Sequence, residues 1–303
     1  MNFKETGKKF KRGLARGALG CSSLIIKMLP EKAMYGFGDW LSKTGYVFAV
    51  RQRRIALESL SMAFGQERSR EQIVALAKAT FQEMGKGMVE LIYFMEHPEL
   101  VKKKVRIEGK EFLLEAFKEG KGVIGVSAHF GSFPLMLLRL IQEGIKTSAI
   151  IRFARDEKIE RYFQSKRQQL GLNTIYSTPR KTCVDNSIRV LRNNEFLFIP
   201  LDQNFGSAGV FVDFFGRQAA TATGPIIFAL RTGAPILPMF IVRQKDDTHR
   251  IIIEPAIHIE EKEDNEATIQ HNIARITKII ESYIREYPQE WGWIHRRWKS
   301  RPK

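Results

Sequence analysis

The stretch Gly122-Val-Ile-Gly-Val-Ser-Ala-His129-Phe-Gly-Ser-Phe-Pro134 decides the fold. Residues 122–127 form a short apolar run bounded by glycine, the signature of a buried strand. Ser132 and Pro134 then open a helix, proline being well suited to a first helical turn. The strand therefore delivers His129 to its exit, where an imidazole can act as a general base on a hydroxyl. Such a base is commonly oriented by a carboxylate one turn further on. Here that position is Pro134, and no Asp or Glu occurs between His129 and Glu143. On a helix, Glu143 would lie ~14 Å along the axis from the helix start, too far to help.

Downstream of this segment, apolar runs recur at 147–151, 196–201, 236–242 and 251–257. Helical patterns fall at 111–119, 135–143, 158–170, 186–193, 225–232 and 267–287. Strands alternating with helices predict an α/β fold with a mostly parallel central sheet flanked by helices. The last two strands flank Gln244-Lys-Asp-Asp-Thr and are expected to pair as a hairpin at one edge. Upstream, the period is helical from about residue 31 to 97. Ile73, Leu76, Ala77, Phe81 and Met84 share a face with Thr80, and Gly85 and Gly87 are expected to interrupt the helix before His97-Pro98 breaks the run. These Met and Phe positions read as helix core, or as the lining of an acyl-chain groove. The change of period divides the chain into a helical, basic, membrane-associating region over 1–100 and an α/β domain over 101–303.

The 303 residues are 44% apolar and carry a net charge of +16. That composition excludes a disordered chain and calls for an anionic partner. Cys21 and Cys183 are the only cysteines, so no disulfide framework is implied and a reducing compartment is expected. Lys4, Lys8, Lys9, Lys11, Arg12 and Arg16 precede ten uncharged residues, 17–26. That run is far short of the ~20 residues that span a bilayer. It reads as an uncleaved basic amphipathic stretch lying on an anionic membrane face. The tail holding Trp291, Trp293, His295, Arg296, Arg297, Trp298, Lys299 and Arg301 mixes indoles with cations, which suits a membrane interface. His295 itself reads as structural. No nucleic-acid module, metal-ligand spacing or glycine-rich nucleotide loop is present in the sequence.

In α/β sheets, sites collect at the carboxyl ends of strands. This rule groups His129, Arg152 with Arg155, Asp202-Gln203-Asn204 and the loop carrying Asp213. A base, cations and polar loops at one edge suit a reaction on an anionic substrate.

From about 105 to 301 the chain resembles the bacterial late acyltransferases of lipid A biosynthesis, the lauroyl/myristoyl transferase type within the wider glycerolipid acyltransferase class. The resemblance rests on Ser127-Ala-His129-Phe-Gly-Ser, Leu201-Asp202-Gln203-Asn204-Phe-Gly206 and Val212-Asp-Phe-Phe-Gly216-Arg-Gln-Ala-Ala-Thr-Ala-Thr-Gly224-Pro225. It also rests on Thr232-Gly-Ala-Pro235-Ile-Leu-Pro238 and Tyr287-Pro-Gln-Glu-Trp291-Gly-Trp293-Ile-His295-Arg-Arg-Trp298-Lys. It implies a glycerolipid acyltransferase-like fold and transfer of a fatty acyl chain from an acyl carrier protein or coenzyme A thioester to a hydroxyl of a lipid A precursor or related anionic lipid. No cofactor or metal is implied. His129 would be the general base and Asp202 the start of the family's acidic loop. Arg152 and Arg167 match family arginines near phosphate or an acceptor head group, and Asn204 and Asp213 join them as substrate-binding positions.

Two departures stand out. Pro134 replaces the family's Glu or Asp, and Asn204 stands where many members have Asp. Asp202, Asp213 or a backbone carbonyl would then orient His129. The implied place of action is the cytoplasmic face of the bacterial inner membrane, peripherally bound, with the anionic leaflet and an acidic carrier protein as partners. Two further readings are an acyltransferase for another bacterial lipid, such as an aminolipid or glycolipid, and a catalytically silent lipid-binding protein on the same scaffold.

Overall fold

The computed structural model describes residues 13, 17, 20, 22–26 and 28–302. The basic residues from Lys4 to Arg16, and Cys21, lie outside the described residues, so the amphipathic reading of that stretch is not addressed. Seven strands form one sheet: β1 (Val105–Glu108), β2 (Val123–Ser127), β3 (Thr147–Ile151), β4 (Leu172–Tyr176), β5 (Phe196–Pro200), β8 (Ile236–Arg243) and β9 (His249–Ile253). Their order is β1-β9-β8-β2-β5-β3-β4. β8, β2, β5, β3 and β4 are mutually parallel, whereas β9 is antiparallel to β8 and parallel to β1. The mostly parallel α/β sheet read from the sequence is thus present. A separate hairpin joins β6 (Val210–Phe214) to β7 (Arg217–Thr221).

β2 lies at the centre because every residue in it is apolar or small and buried. Gly125 is required there, since a Cβ would sit 2.2 Å from the Phe196 ring. Alternate residues serve opposite faces. Ile124, Val126, Leu197 and Ile199 face one apolar layer, which includes Leu60, Phe64 and Ile73 from the first helices and Ile276, Ile280 and Ile284 from the helix Asn265–Glu286. Phe196, Phe198, Leu237 and Met239 face the other, with Phe94, Leu135 and Leu138.

Three sequence expectations are corrected. The helix Arg70–Glu96 runs unbroken through Gly85 and Gly87. Gly85 lies against the helix Glu31–Phe48, where a Cβ would meet Ser42 Oγ at 2.0 Å, so this glycine permits a close helix crossing. Thr80 is fully buried on the apolar face because its hydroxyl donates to Leu76 O at 3.0 Å. The β8–β9 hairpin forms, but β1 adds outside it, so the hairpin does not make the edge. The aromatic and basic tail is packed inward: Trp291, Trp293 and Arg297 are each 1% exposed or less. Its indoles find buried hydrogen-bond acceptors, as buried tryptophans do, so Trp291, Trp293 and Arg297 belong to the core, while Arg296, Lys299 and Arg301 stay exposed.

Candidate active site

His129 follows β2 at the carboxyl edge of the sheet. Asp202 follows the adjacent β5, and Leu201 N–H bonds to Ser127 O at 2.9 Å, which holds the two strand exits in register. The result is a direct contact between His129 Nδ1 and Asp202 Oδ1 at 2.8 Å. Asp202 Oδ2 accepts from Trp291 Nε1 at 2.8 Å. The carboxylate is buried, and although burial opposes its charge, the His129 ring beside it holds its pKa well below the usual range. With Asp202 ionised, Nδ1 carries the proton and Nε2 presents its lone pair. Burial pulls the His129 pKa down, but the charge and hydrogen bond of Asp202 together outweigh it and leave the pKa above the ordinary imidazole value. The Gln203 amide lies 3.2 Å from Nε2 and donates to that lone pair. Gln203 is exposed, so an incoming hydroxyl can displace it.

The segment from Glu290 to Arg297 frames this pair. Phe130 bridges Trp291 in antiparallel fashion. Gly131 N–H bonds to Glu290 O at 2.8 Å and Gly292 N–H bonds to His129 O at 3.2 Å. His295 faces the carbonyl oxygens of Asp202 and Gly292, and burial lowers its pKa, so a neutral ring donates to one of them. Arg297 donates to Ala220 O and Thr221 Oγ1, both at 2.6 Å, and to Gln203 O at 3.3 Å. Burial draws the guanidinium pKa down to about 10.

A cavity of about 430 Å³ opens beside Nε2. Met84, Met88, Leu91, Phe133, Pro134 and Ile294 give it an apolar wall, while Glu83, Glu290, Arg243, Gln203 and Ser132 supply the polar groups. Arg243 is neutralised from within: Nε contacts Glu83 at 2.6 Å, and Nη1 and Nη2 grip Glu90 at 2.5 and 2.8 Å. Burial and the nearby Glu83 charge push the Glu290 pKa up to about 8, against the Arg243 charge and its backbone N–H, which lower it.

The other residues singled out in the sequence lie apart from this cavity. Arg152 is exposed after β3, two strands from β2, which is ~10 Å at normal strand spacing. Arg167 pairs with the buried Glu160 at 2.5 Å, and Glu160 accepts Ala154 N–H at 2.7 Å, so Arg167 braces the loop that carries Arg152. Asn204 exchanges hydrogen bonds with Ser300 at 3.1 and 3.3 Å. Asp213 accepts Gly216 N–H at 3.3 Å in the β6–β7 turn. Of the two acids named from the sequence as possible partners of His129, Asp202 makes the contact. Gln203 was grouped with the strand-end residues without a role, while Trp291 and Ser132 escaped notice as site residues. Their motif positions beside His129, Asp202 and the tail were the available signal.

A sequence model described as bacterial lipid A biosynthesis acyltransferase matches residues 17–300. The chain belongs to that family. The similarity extends to the Escherichia coli (strain K12) lipid A biosynthesis palmitoleoyltransferase, 27% identical over 90% of this chain and 87% of that protein. The lauroyltransferase of the same organism is 25% identical over 92% and 89%. A phosphatidylinositol mannoside acyltransferase of Mycobacterium tuberculosis is 27% identical over 48% of this chain and 46% of its own. Among solved structures, the 1-acyl-sn-glycerophosphate acyltransferase of Thermotoga maritima matches with a TM-score of 0.40 and 12% identity, covering 86% of this chain and 96% of that one. Family membership makes this chain an acyltransferase. In this chain the His129–Asp202 contact joins two different strand exits, with Pro134 in the cavity wall.

Proposed function

We propose that the enzyme transfers a fatty acyl chain from an acyl carrier protein or coenzyme A thioester to a hydroxyl of a lipid A precursor or related anionic lipid, with His129 as general base. The observation that carries this reading is the Trp291–Asp202–His129 chain of contacts, which ends with Nε2 at the mouth of an apolar-walled cavity. The acceptor hydroxyl displaces Gln203 and gives its proton to Nε2 as its oxygen attacks the thioester carbonyl carbon. The tetrahedral intermediate collapses, the C–S bond breaks, and the imidazolium returns the proton to the departing thiolate. Asp202 keeps the ring in the productive tautomer and stabilises the imidazolium without itself taking a proton, while the buried Trp291 N–H fixes the carboxylate. Met84, Met88 and Leu91 are the side of the cavity suited to the acyl chain. Arg152 would meet phosphate on the donor arm or the acceptor, with Arg167 holding its loop in place. Asn204 and Asp213 would contribute at the rim by shaping the loops they cap.

A peripheral position on the cytoplasmic face of the inner membrane completes the proposal. No helix among the described residues is long and apolar enough to cross a membrane. Trp40, Val47, Phe48 and Val50 are exposed around the junction of the helices Glu31–Phe48 and Val50–Phe64, and the exposed Leu24, Ile25 and Met28 precede them. With a net charge of +16, such a surface suits an anionic leaflet and an acidic carrier protein. A glycolipid acceptor is the second reading, favoured by the match to the phosphatidylinositol mannoside enzyme.

The test is acyl transfer from carrier-protein and coenzyme A thioesters to both acceptor classes by wild type, His129→Ala and Asp202→Asn. His129→Ala should lose ~10²–10⁴-fold in rate. Asp202→Asn should lose rate and shift the pH–rate midpoint downward, because the neutral amide no longer raises the imidazole pKa. Robust activity in His129→Ala would sink the mechanism. A wild type as inactive as His129→Ala on every acceptor would favour a silent lipid-binding protein.

A further inference from the structure

The helix Phe133–Gln142 opens four residues after His129 and carries at its start a polar group that the base–acid pair does not use. Ser132 is 4% exposed and lines the same cavity as His129. Its hydroxyl has no hydrogen-bond partner among the described residues. It does not cap the helix behind it. A buried hydroxyl left unpaired costs stability, so a partner supplied by substrate is the natural complement.

The backbone places this group deliberately. Gly131 adopts φ +55°, and a Cβ there would meet Ile241 O at 2.1 Å, so only glycine makes the turn that brings Ser132 back beside His129. Gly131 N–H is taken by Glu290 O, and Leu135 N–H closes the first helical turn on Ser132 O at 2.8 Å. Pro134 has no N–H at all. Among the described residues, the amides of Ser132 and Phe133 are what remain without an acceptor at the positive end of the helix dipole.

We infer that Ser132 is a catalytic residue that stabilises the oxyanion of the acyl transfer, its Oγ–H donating to the thioester carbonyl oxygen as that oxygen becomes negative. The inference rests on the His129 general-base reading. As the acceptor oxygen bonds to the carbonyl carbon and its proton passes to Nε2, the carbonyl π pair moves onto the oxygen facing Ser132 and the helix amides. Collapse returns that pair to the C=O bond and expels the thiolate, which takes the proton back from His129. Ser132 neither gains nor loses a proton over the cycle. It is not assigned as a nucleophile, because its hydroxyl makes no hydrogen bond to either ring nitrogen of His129.

The test uses the full chain, the lauroyl thioester of acyl carrier protein as donor, and vesicles containing a lipid A precursor as acceptor. Ser132→Ala should lower kcat ~10²–10³-fold at near-constant KM, the size of effect expected for one oxyanion donor. Its Tm should be unchanged or higher, because the variant removes an unpaired buried hydroxyl. A normal kcat in Ser132→Ala beside an inactive His129→Ala would overturn this inference alone, whereas an active His129→Ala would overturn the base as well. A loss of kcat accompanied by a fall in Tm would make Ser132 structural, and an acyl adduct on Ser132 in mass spectrometry would make it a nucleophile. Either outcome removes it as the oxyanion donor.

Discussion

Two of the protein's histidine–carboxylate pairs are nearly equal in length and sit in very different settings. His129 meets Asp202 at 2.8 Å, and His249 meets Glu90 at 3.0 Å. The His129 side chain is 34% exposed and its second nitrogen faces a cavity, while that of His249 is 1% exposed and its Nδ1 has no partner among the described residues. The acids differ as well. Asp202 is steadied by a neutral indole, whereas burial of Glu90 is outweighed by His249 and Arg243, which hold its pKa at about 2. One pair keeps a proton-accepting lone pair reachable by substrate. The other fastens the helix Arg70–Glu96 to β8 and β9, with Tyr35 also donating to Glu90 at 3.1 Å. Distance alone does not distinguish the proposed base from a strut. What separates them is access to the second nitrogen and the nature of the acid's other partner.

This contrast can be broken from either side. The largest expected effect is the ~10²–10⁴-fold rate loss of His129→Ala. His249→Ala should instead lower Tm while leaving the pH–rate midpoint of the surviving activity where it was. Next in size, Glu90→Gln leaves Arg243 buried beside a neutral amide and should cost ~3–5 kcal/mol of stability by chemical denaturation, the usual penalty for breaking a buried ion pair. If Glu90→Gln unfolds at the wild-type midpoint, the strut interpretation fails.

A third prediction concerns Glu290, whose pKa is pushed up to about 8 by burial and Glu83. Because the folded state binds its proton more tightly than the unfolded chain, Glu290 weakens the fold as pH rises from the ordinary carboxylate range to about 8. Glu290→Gln should flatten that decline, a difference on the order of a few kcal/mol between pH ~5 and ~8. Parallel stability–pH curves for the two proteins would contradict it. The smallest effect is expected for Pro134→Glu. Asp202 already holds Nδ1, so restoring an acid here should change kcat no more than a few-fold. A large gain in steady-state rate would mean that Asp202 is a poor substitute.

The sequence carried the central strands and the exit of His129 clearly, because 122–127 and 196–201 are uninterrupted apolar runs. β1 and β4 were invisible for the opposite reason. They lie at the sheet edges, where Val105-Arg-Ile-Glu and Leu172-Asn-Thr-Ile-Tyr mix polar with apolar residues, so no buried run marks them. Gly85 read as a breaker because a glycine in a helical pattern looks the same whether it ends a helix or lets another helix approach. The tail misled for a similar reason: indoles and guanidinium groups suit a wet interface equally well, and only tertiary contacts show Arg297 spending its donors on Ala220, Thr221 and Gln203. Asp202 could be named from sequence as one of two candidate acids. Choosing it over Asp213 required the adjacency of β2 and β5.

The contact between Trp291 and Asp202 spans 89 residues of chain, and that between His129 and Asp202 spans 73. A site tied together by such distant segments has no local fragment in which it can form. Because the Glu290–Arg297 segment that holds Asp202, Gln203 and the His129 turn is itself buried in the core, activity and the fold should be lost together on denaturation.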